Sequence, residues 1–120
     1  MTITVPEMEI YRKSAKQRAA KLQAAVEARR VRAWDSARKA AKILKEDFGA
    51  SRVAVYGSLI HPERFHLHSD IDLAVWDVEE YFRAVAHLLD IDPEITFDLV
   101  PVEDARPGIM AAIDREGVEL

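Results

Sequence analysis

The chain has 120 residues, of which 49% are apolar and 32% are charged, and its formal net charge is −4. This length and composition predict one globular domain and exclude two independent lobes. The absence of cysteine excludes a disulfide scaffold, a thiolate zinc site and a cysteine nucleophile. No apolar run approaches the roughly 20 residues of a membrane span, and no signal peptide is apparent, so we expect a cytoplasmic protein with no membrane partner.

Charge is divided unevenly along the chain. Residues 1–47 contain 12 lysines and arginines against 6 acidic residues, whereas residues 48–120 contain 5 against 15. A basic N-terminal segment on an acidic body indicates either a surface that binds an acidic partner or a solvated helix face. Aromatic residues are too sparse among the basic ones to favour binding of single-stranded nucleic acid, so we expect no direct nucleic-acid partner.

The N-terminal third is predicted to be helical. Residues 7–47 contain neither Gly nor Pro and are rich in strong helix formers. One continuous helix would be about 60 Å long and would have to project from the body or fold back. Alternatively, Asp35 and Ser36 cap a second helix that ends before Gly49. Apolar residues at spacings of three and four form a narrow stripe, which comprises Leu22, Val26, Ala33, Ala37, Ala40 and Leu44.

The remainder of the chain alternates between short strands and helices. The predicted strands cover residues 52–56, 70–76, 94–102 and 118–120, and the predicted helices cover residues 78–89 and 106–115. A loop or short helical turn is predicted at residues 59–67. We expect the first two strands to be neighbours and the third strand to end near Pro101.

A Gly-Ser turn and closely spaced aspartates form the strongest functional pattern. In an extended strand, Asp70 and Asp72 project from the same face. Magnesium prefers oxygen ligands and takes one or two protein carboxylates together with substrate phosphates. Gly57 allows the backbone to approach a polyphosphate, and Ser58 supplies a hydroxyl beside it. Asp98 on the third strand could share a second metal or accept the proton of an attacking hydroxyl, which is the chemistry of nucleotidyl transfer.

The loop histidines offer an alternative, a transition-metal site. His61, His66 and His68 lie between the Gly-Ser turn and the aspartates. No cysteine and no four-ligand spacing accompany them, so we favour magnesium over a transition metal.

The sequence YGS at residues 56–58, SDIDLAV at 69–75 and FDLV at 97–100 resembles the minimal nucleotidyltransferase family of the DNA polymerase β-like superfamily. Eleven residues separate Ser58 from Asp70, one more than the family usually has, and His61-Pro62 replaces its frequent Arg-Gly. The resemblance implies an α+β fold with a short mixed sheet flanked by helices. It places this domain at residues 36–120, behind a long N-terminal helical extension at residues 1–35.

The resemblance also implies roles for individual residues and for partners. Gly57 and Ser58 would bind nucleotide phosphates, Asp70 and Asp72 would bind Mg²⁺, and Asp98 would be a third ligand or a general base. Small stand-alone members are similar to the antitoxin half of HEPN–MNT toxin–antitoxin pairs. For this chain the similarity implies transfer of AMP from ATP to a tyrosine of a HEPN toxin, within a hetero-oligomer.

Two other functions stay open on the sequence. The basic N-terminal helix could dock on the toxin and block it without catalysis. Transfer of a nucleotide to a small molecule is less favoured, because the chain has no second domain to build an acceptor pocket.

Overall fold

The computed structural model describes residues 2–120 and has the predicted α+β architecture. The elements in chain order are α1 (Val5–Asp47), β1 (Arg52–Tyr56), β2 (Ile71–Trp76), α2 (Tyr81–Leu88), β3 (Phe97–Pro101), α3 (Pro107–Glu116) and β4 (Val118–Glu119), with 3-10 turns at Gly57–Ile60 and Val102–Asp104.

The N-terminal helix α1 is continuous over 43 residues. It begins with a capping box, in which the Thr4 hydroxyl accepts a hydrogen bond from the Glu7 amide and the Glu7 carboxylate accepts one from the Thr4 amide. The alternative of a second helix capped at Asp35 and Ser36 is wrong, since Ser36 is buried within the helix. Gly49 follows the C-terminus with a φ of +72°, as predicted.

Only the second half of α1 packs against the body. Ala33, Ala37, Ala40 and Leu44 are fully buried, whereas Leu22 is 52% exposed. The predicted apolar stripe therefore packs only toward its C-terminal end, because the helix extends beyond the sheet. We call residues 2–28 the arm. Its projection gives the molecule dimensions of 64 × 30 × 22 Å.

The four strands form one mixed sheet in the order β3-β2-β1-β4. The first two strands are antiparallel neighbours, as predicted, and β4 also pairs antiparallel with β1. Strands β2 and β3 are parallel, and α2 forms the crossover between them.

Two elements begin three residues later than the sequence predicts. Helix α2 begins at Tyr81 rather than at residue 78, because Asp77 and Glu80 adopt positive φ angles of 62° and 50° that a right-handed helix does not allow. Strand β3 begins at Phe97 rather than at residue 94. Ile95 is buried although it lies in the preceding turn, so its apolarity reflects burial and not strand structure.

The sheet buries its two faces against different helices. One face, which includes Val55 and Leu73, packs against α1 and α2. The opposite face carries Ala54 and Ala74 and packs against Ile113 of α3. Within residues 2–120, no helix combines the length and apolarity needed to cross a membrane.

Candidate active site

Three polar side chains lie side by side across the sheet. Tyr56 on β1 pairs with Asp72 on β2, and Asp72 pairs with Asp98 on β3. Residues paired in this way project from the same face, here the face that α3 covers only in part. Asp72 is half-buried and Asp98 is exposed. The structure therefore brings together two of the three aspartates that the sequence singles out.

Asp70 lies directly before β2, at the same end of the sheet. Its carboxylate accepts a hydrogen bond from the Thr96 hydroxyl, and the Ile71 amide donates to the Thr96 carbonyl at 2.9 Å. Thr96 is thus a site residue that sequence reasoning missed. The signal was present, because strand alternation places Thr96 and Asp98 on one side of the third strand.

The Gly-Ser turn is in direct contact with the aspartates. Gly57 has a φ of +77°, and a β-carbon on it would lie 2.3 Å from Asp72 Oδ2. Only glycine combines that backbone conformation with so close an approach. Ser58 follows, half-buried, in the 3-10 turn. The structure therefore places Gly57, one of the two predicted phosphate-binding residues, against Asp72.

The site concentrates negative charge. The pKa of Asp72 is raised to about 6, first by burial and then by the charges of Asp98 and Asp70. Burial, Asp72 and Asp98 also raise the pKa of Tyr56 to about 12. Among the ion pairs that the structure describes for residues 2–120, none involves these three aspartates. An arrangement of this kind attracts a cation.

The donor set fits magnesium that is shared with a substrate. Within the described residues, no group of three or more histidines, aspartates and glutamates could hold a metal ion by itself. Mg²⁺ does not require such a cage, because one or two carboxylates suffice when phosphates and water complete its octahedron. Asp70 and Asp72 would provide these carboxylates, and Asp98 pairs with Asp72 on the neighbouring strand.

The longer loop before Asp70 is anchored at several points. His61 Nε2 lies 3.0 Å from a Glu116 carboxylate oxygen on α3. The Ser69 hydroxyl accepts a hydrogen bond of 2.9 Å from the His66 amide. An Arg29 guanidinium nitrogen donates to the Ser69 carbonyl at 3.1 Å. His61 and His66 therefore organise the loop, after which β2 pairs with β1 from Asp72 to Trp76.

A groove of about 560 Å³ begins at Asp98 and runs along the free edge of β3. Its lining includes Tyr81, Phe82, Asp98, Pro101, Glu103 and Asp104. The Tyr81 hydroxyl donates to the Leu99 carbonyl at 2.7 Å, and burial, Asp98 and Asp104 raise the pKa of Tyr81. This acidic groove was not predicted, because it forms where α2 and the turn after β3 meet.

The chain was compared with known proteins. A family model described as "Polymerase beta, Nucleotidyltransferase" matches residues 38–120. The match covers more than half of the chain and includes the Gly-Ser turn and all three aspartates. Among curated proteins, none is similar enough to count as a match.

Proposed function

Because this chain belongs to the polymerase β-type nucleotidyltransferase family, we propose that it transfers AMP from ATP to a tyrosine of a HEPN ribonuclease toxin and thereby acts as an antitoxin. The observation that carries the proposal is the contact between Gly57 and Asp72, with Asp98 next in the same row. A phosphate-binding turn, a metal ligand and a proton acceptor are thereby adjacent.

Each residue then has a definite task. The backbone at Gly57 and the hydroxyl of Ser58 hold the phosphates of ATP. Asp70 and Asp72 would hold Mg²⁺, which would neutralise phosphate charge when it is bound. Asp98 accepts the proton of the tyrosine hydroxyl that attacks the α-phosphorus, and pyrophosphate leaves. The rate enhancement comes mainly from positioning and electrostatic stabilisation.

Intact-mass spectrometry of the toxin tests this function. The protein, ATP and Mg²⁺ should add the mass of AMP to a HEPN toxin encoded beside it. Asp70→Asn and Asp72→Asn should abolish the addition, whereas Asp114→Asn, an exposed carboxylate on α3, should not. If the toxin stays unmodified, and if Asp70→Asn and Asp72→Asn still neutralise the toxin fully, the enzymatic proposal is wrong.

A non-catalytic antitoxin is the second candidate, and the exposed basic arm favours it. Residues 2–25 are almost entirely exposed, and most of the charge along them is positive. A deletion of residues 1–24 keeps Val26 and Arg29, which contact the body. If this truncated chain still adenylylates the toxin but no longer forms a stable complex, the arm is the docking element. If the truncated chain still forms the same complex with the toxin, the arm is excluded as the docking element.

A further inference from the structure

We propose that Tyr11 on the arm of one copy is adenylylated by the active site of a second copy. This inference rests on the proposed AMP transfer and adds an acceptor within the chain itself. The arm would then be both a docking element and a modification site.

Tyr11 is the accessible tyrosine of the chain. It is 70% exposed, near the tip of the arm. Tyr56 is only 8% exposed and is packed under the site. The hydroxyl of Tyr81 already donates to the Leu99 carbonyl. Among the tyrosines of residues 2–120, Tyr11 therefore presents the phenol best placed for transfer.

The length of α1 requires that the reaction occur between two copies. Tyr11 and Arg29 lie 18 residues apart in one uninterrupted helix, and Arg29 already contacts the body through Ser69 and Glu94. At 1.5 Å per residue, Tyr11 is about 27 Å beyond that contact. A straight helix cannot bring this residue back to its own Asp72.

The tip of the arm is apolar, and basic residues follow it along the helix. Ile3, Met8 and Tyr11 are exposed apolar residues that line one depression at the tip, together with Glu7 and Arg12. Within residues 2–25, the five basic residues all follow Tyr11, and the two acidic residues precede it. A surface of this kind fits a partner that presents an aromatic group among carboxylates.

The groove beside Asp98 has the complementary surface. Phe82 is 85% exposed at its rim, and Glu103 and Asp104 add negative charge next to Asp98. Opposite charges steer the two surfaces together, and burial of Phe82 against the arm removes apolar area from water. We therefore take the arm of a second copy as the occupant of this groove.

The position of the groove also suits the chemistry. Gly57 lies on the β1 side of Asp72, and the groove begins on the opposite, β3 side. In-line transfer needs the attacking and leaving oxygens on opposite sides of the phosphorus. Tyr11 Oη attacks the α-phosphorus, the bond to the β-phosphate oxygen breaks, and pyrophosphate leaves. Asp98 accepts the phenolic proton, and the product is a tyrosyl phosphodiester of AMP.

A mixing experiment tests transfer between copies. Tyr11→Phe keeps every site residue but lacks the acceptor, and Asp72→Asn keeps the acceptor but lacks a metal ligand. After incubation with ATP and Mg²⁺, the mixture should carry AMP on Tyr11 of the Asp72→Asn chain. Tandem mass spectrometry should find it in the tryptic peptide that ends at Arg12. Neither variant should be labelled there when it is incubated alone.

The same mixture, with the HEPN toxin added, separates this inference from the proposed function. If Tyr11→Phe adenylylates the HEPN toxin but leaves Tyr11 of Asp72→Asn unmodified, the inference is wrong and the proposed function stands. If neither the toxin nor Tyr11 is modified, the inference and the proposed function are both wrong.

Charge reversal in the groove tests the docking site. Glu103→Lys and Asp104→Lys are introduced together into the Tyr11→Phe chain. This chain should then label Tyr11 of the Asp72→Asn chain at least tenfold more slowly. The matched control, Glu46→Lys with Asp47→Lys, makes the same charge change at the end of α1 and should leave the rate unchanged. Equal rates for the two double variants would overturn docking in this groove.

Discussion

The carboxylate of Asp72 lies directly against Gly57, so closely that a β-carbon on Gly57 would be 2.3 Å from Asp72 Oδ2. The two residues are separated by a loop of fourteen residues in the sequence but are adjacent in the sheet, because Tyr56 pairs with Asp72. The Gly-Ser turn and Asp72 therefore cannot shift independently.

Gly57→Ala should reduce both stability and AMP transfer. The added methyl group must displace Asp72, and an alanine at a φ of +77° is strained. We expect the free energy of unfolding to fall by about 1–3 kcal/mol, measured by urea denaturation. Gly108→Ala is the control, since a β-carbon there meets no atom within 4 Å. Unchanged stability and activity in Gly57→Ala would show that the turn tolerates a side chain.

Arg29→Ala should loosen the two segments that precede β2 and β3. Arg29 donates to the Ser69 carbonyl at 3.1 Å and to the Glu94 carbonyl at 3.2 Å. Loss of these bonds should lower the free energy of unfolding by about 1–3 kcal/mol and reduce AMP transfer, because Ser69 precedes Asp70. Arg18→Ala, an exposed position on the arm, should change neither urea midpoint nor activity. Similar effects of both substitutions would refute the anchoring role.

Asp72→Asn should stabilise the metal-free protein at neutral pH. Burial, Asp98 and Asp70 raise the pKa of Asp72 from 3.8 to about 6. Between these values the folded state binds more protons than the unfolded state, so this group's contribution to stability falls as the pH rises and levels off above pH 6. Asparagine at this position does not ionise, so the substitution removes this loss of stability. Since solvent screens the half-buried carboxylate, we expect a gain of about 1–2 kcal/mol at pH 7.

Urea denaturation with EDTA at pH 4 and pH 7 measures this effect. The difference between Asp72→Asn and the unsubstituted chain should be small at pH 4 and should appear by pH 7. Asp114→Asn controls for the loss of an exposed charge. If Asp72→Asn is destabilised equally at pH 4 and pH 7, the unsubstituted chain is not destabilised by ionised Asp72, which contradicts the prediction.

Magnesium should stabilise the folded chain through the same aspartates. A ligand at 100 times its Kd that binds only the folded state adds about 2.7 kcal/mol. We expect Mg²⁺ to raise the melting temperature of the unsubstituted chain, and to have little effect on the double variant Asp70→Asn with Asp72→Asn. Differential scanning fluorimetry across a Mg²⁺ titration measures this. Equal shifts in the two proteins would place the metal elsewhere.

Local sequence patterns were sufficient to predict most of the elements and to single out candidate site residues. Strand alternation predicted β1 to the residue and β2 to within one residue, because side chains on a strand alternate between faces whatever the partner strand is. Gly57, Asp70 and Asp72 were identifiable as candidates because the turn and the strand each impose their geometry locally. The division of the chain at residues 35 and 36 stays a prediction, and α1 is continuous across it.

The remaining features depend on contacts between residues far apart in the sequence. Whether α1 breaks at Asp35 could not be decided from helix propensity, which is high on both sides; packing of Ala33 and Ala37 on the sheet decides it. The alignment of Asp98 with Asp72 requires the register of a parallel pair, which no local pattern specifies. The sequence by itself determined which groups are candidates for the chemistry, because residue types and local spacing are fixed by it, whereas strand pairing and helix packing decided that Asp72 and Asp98 lie side by side at an acidic groove.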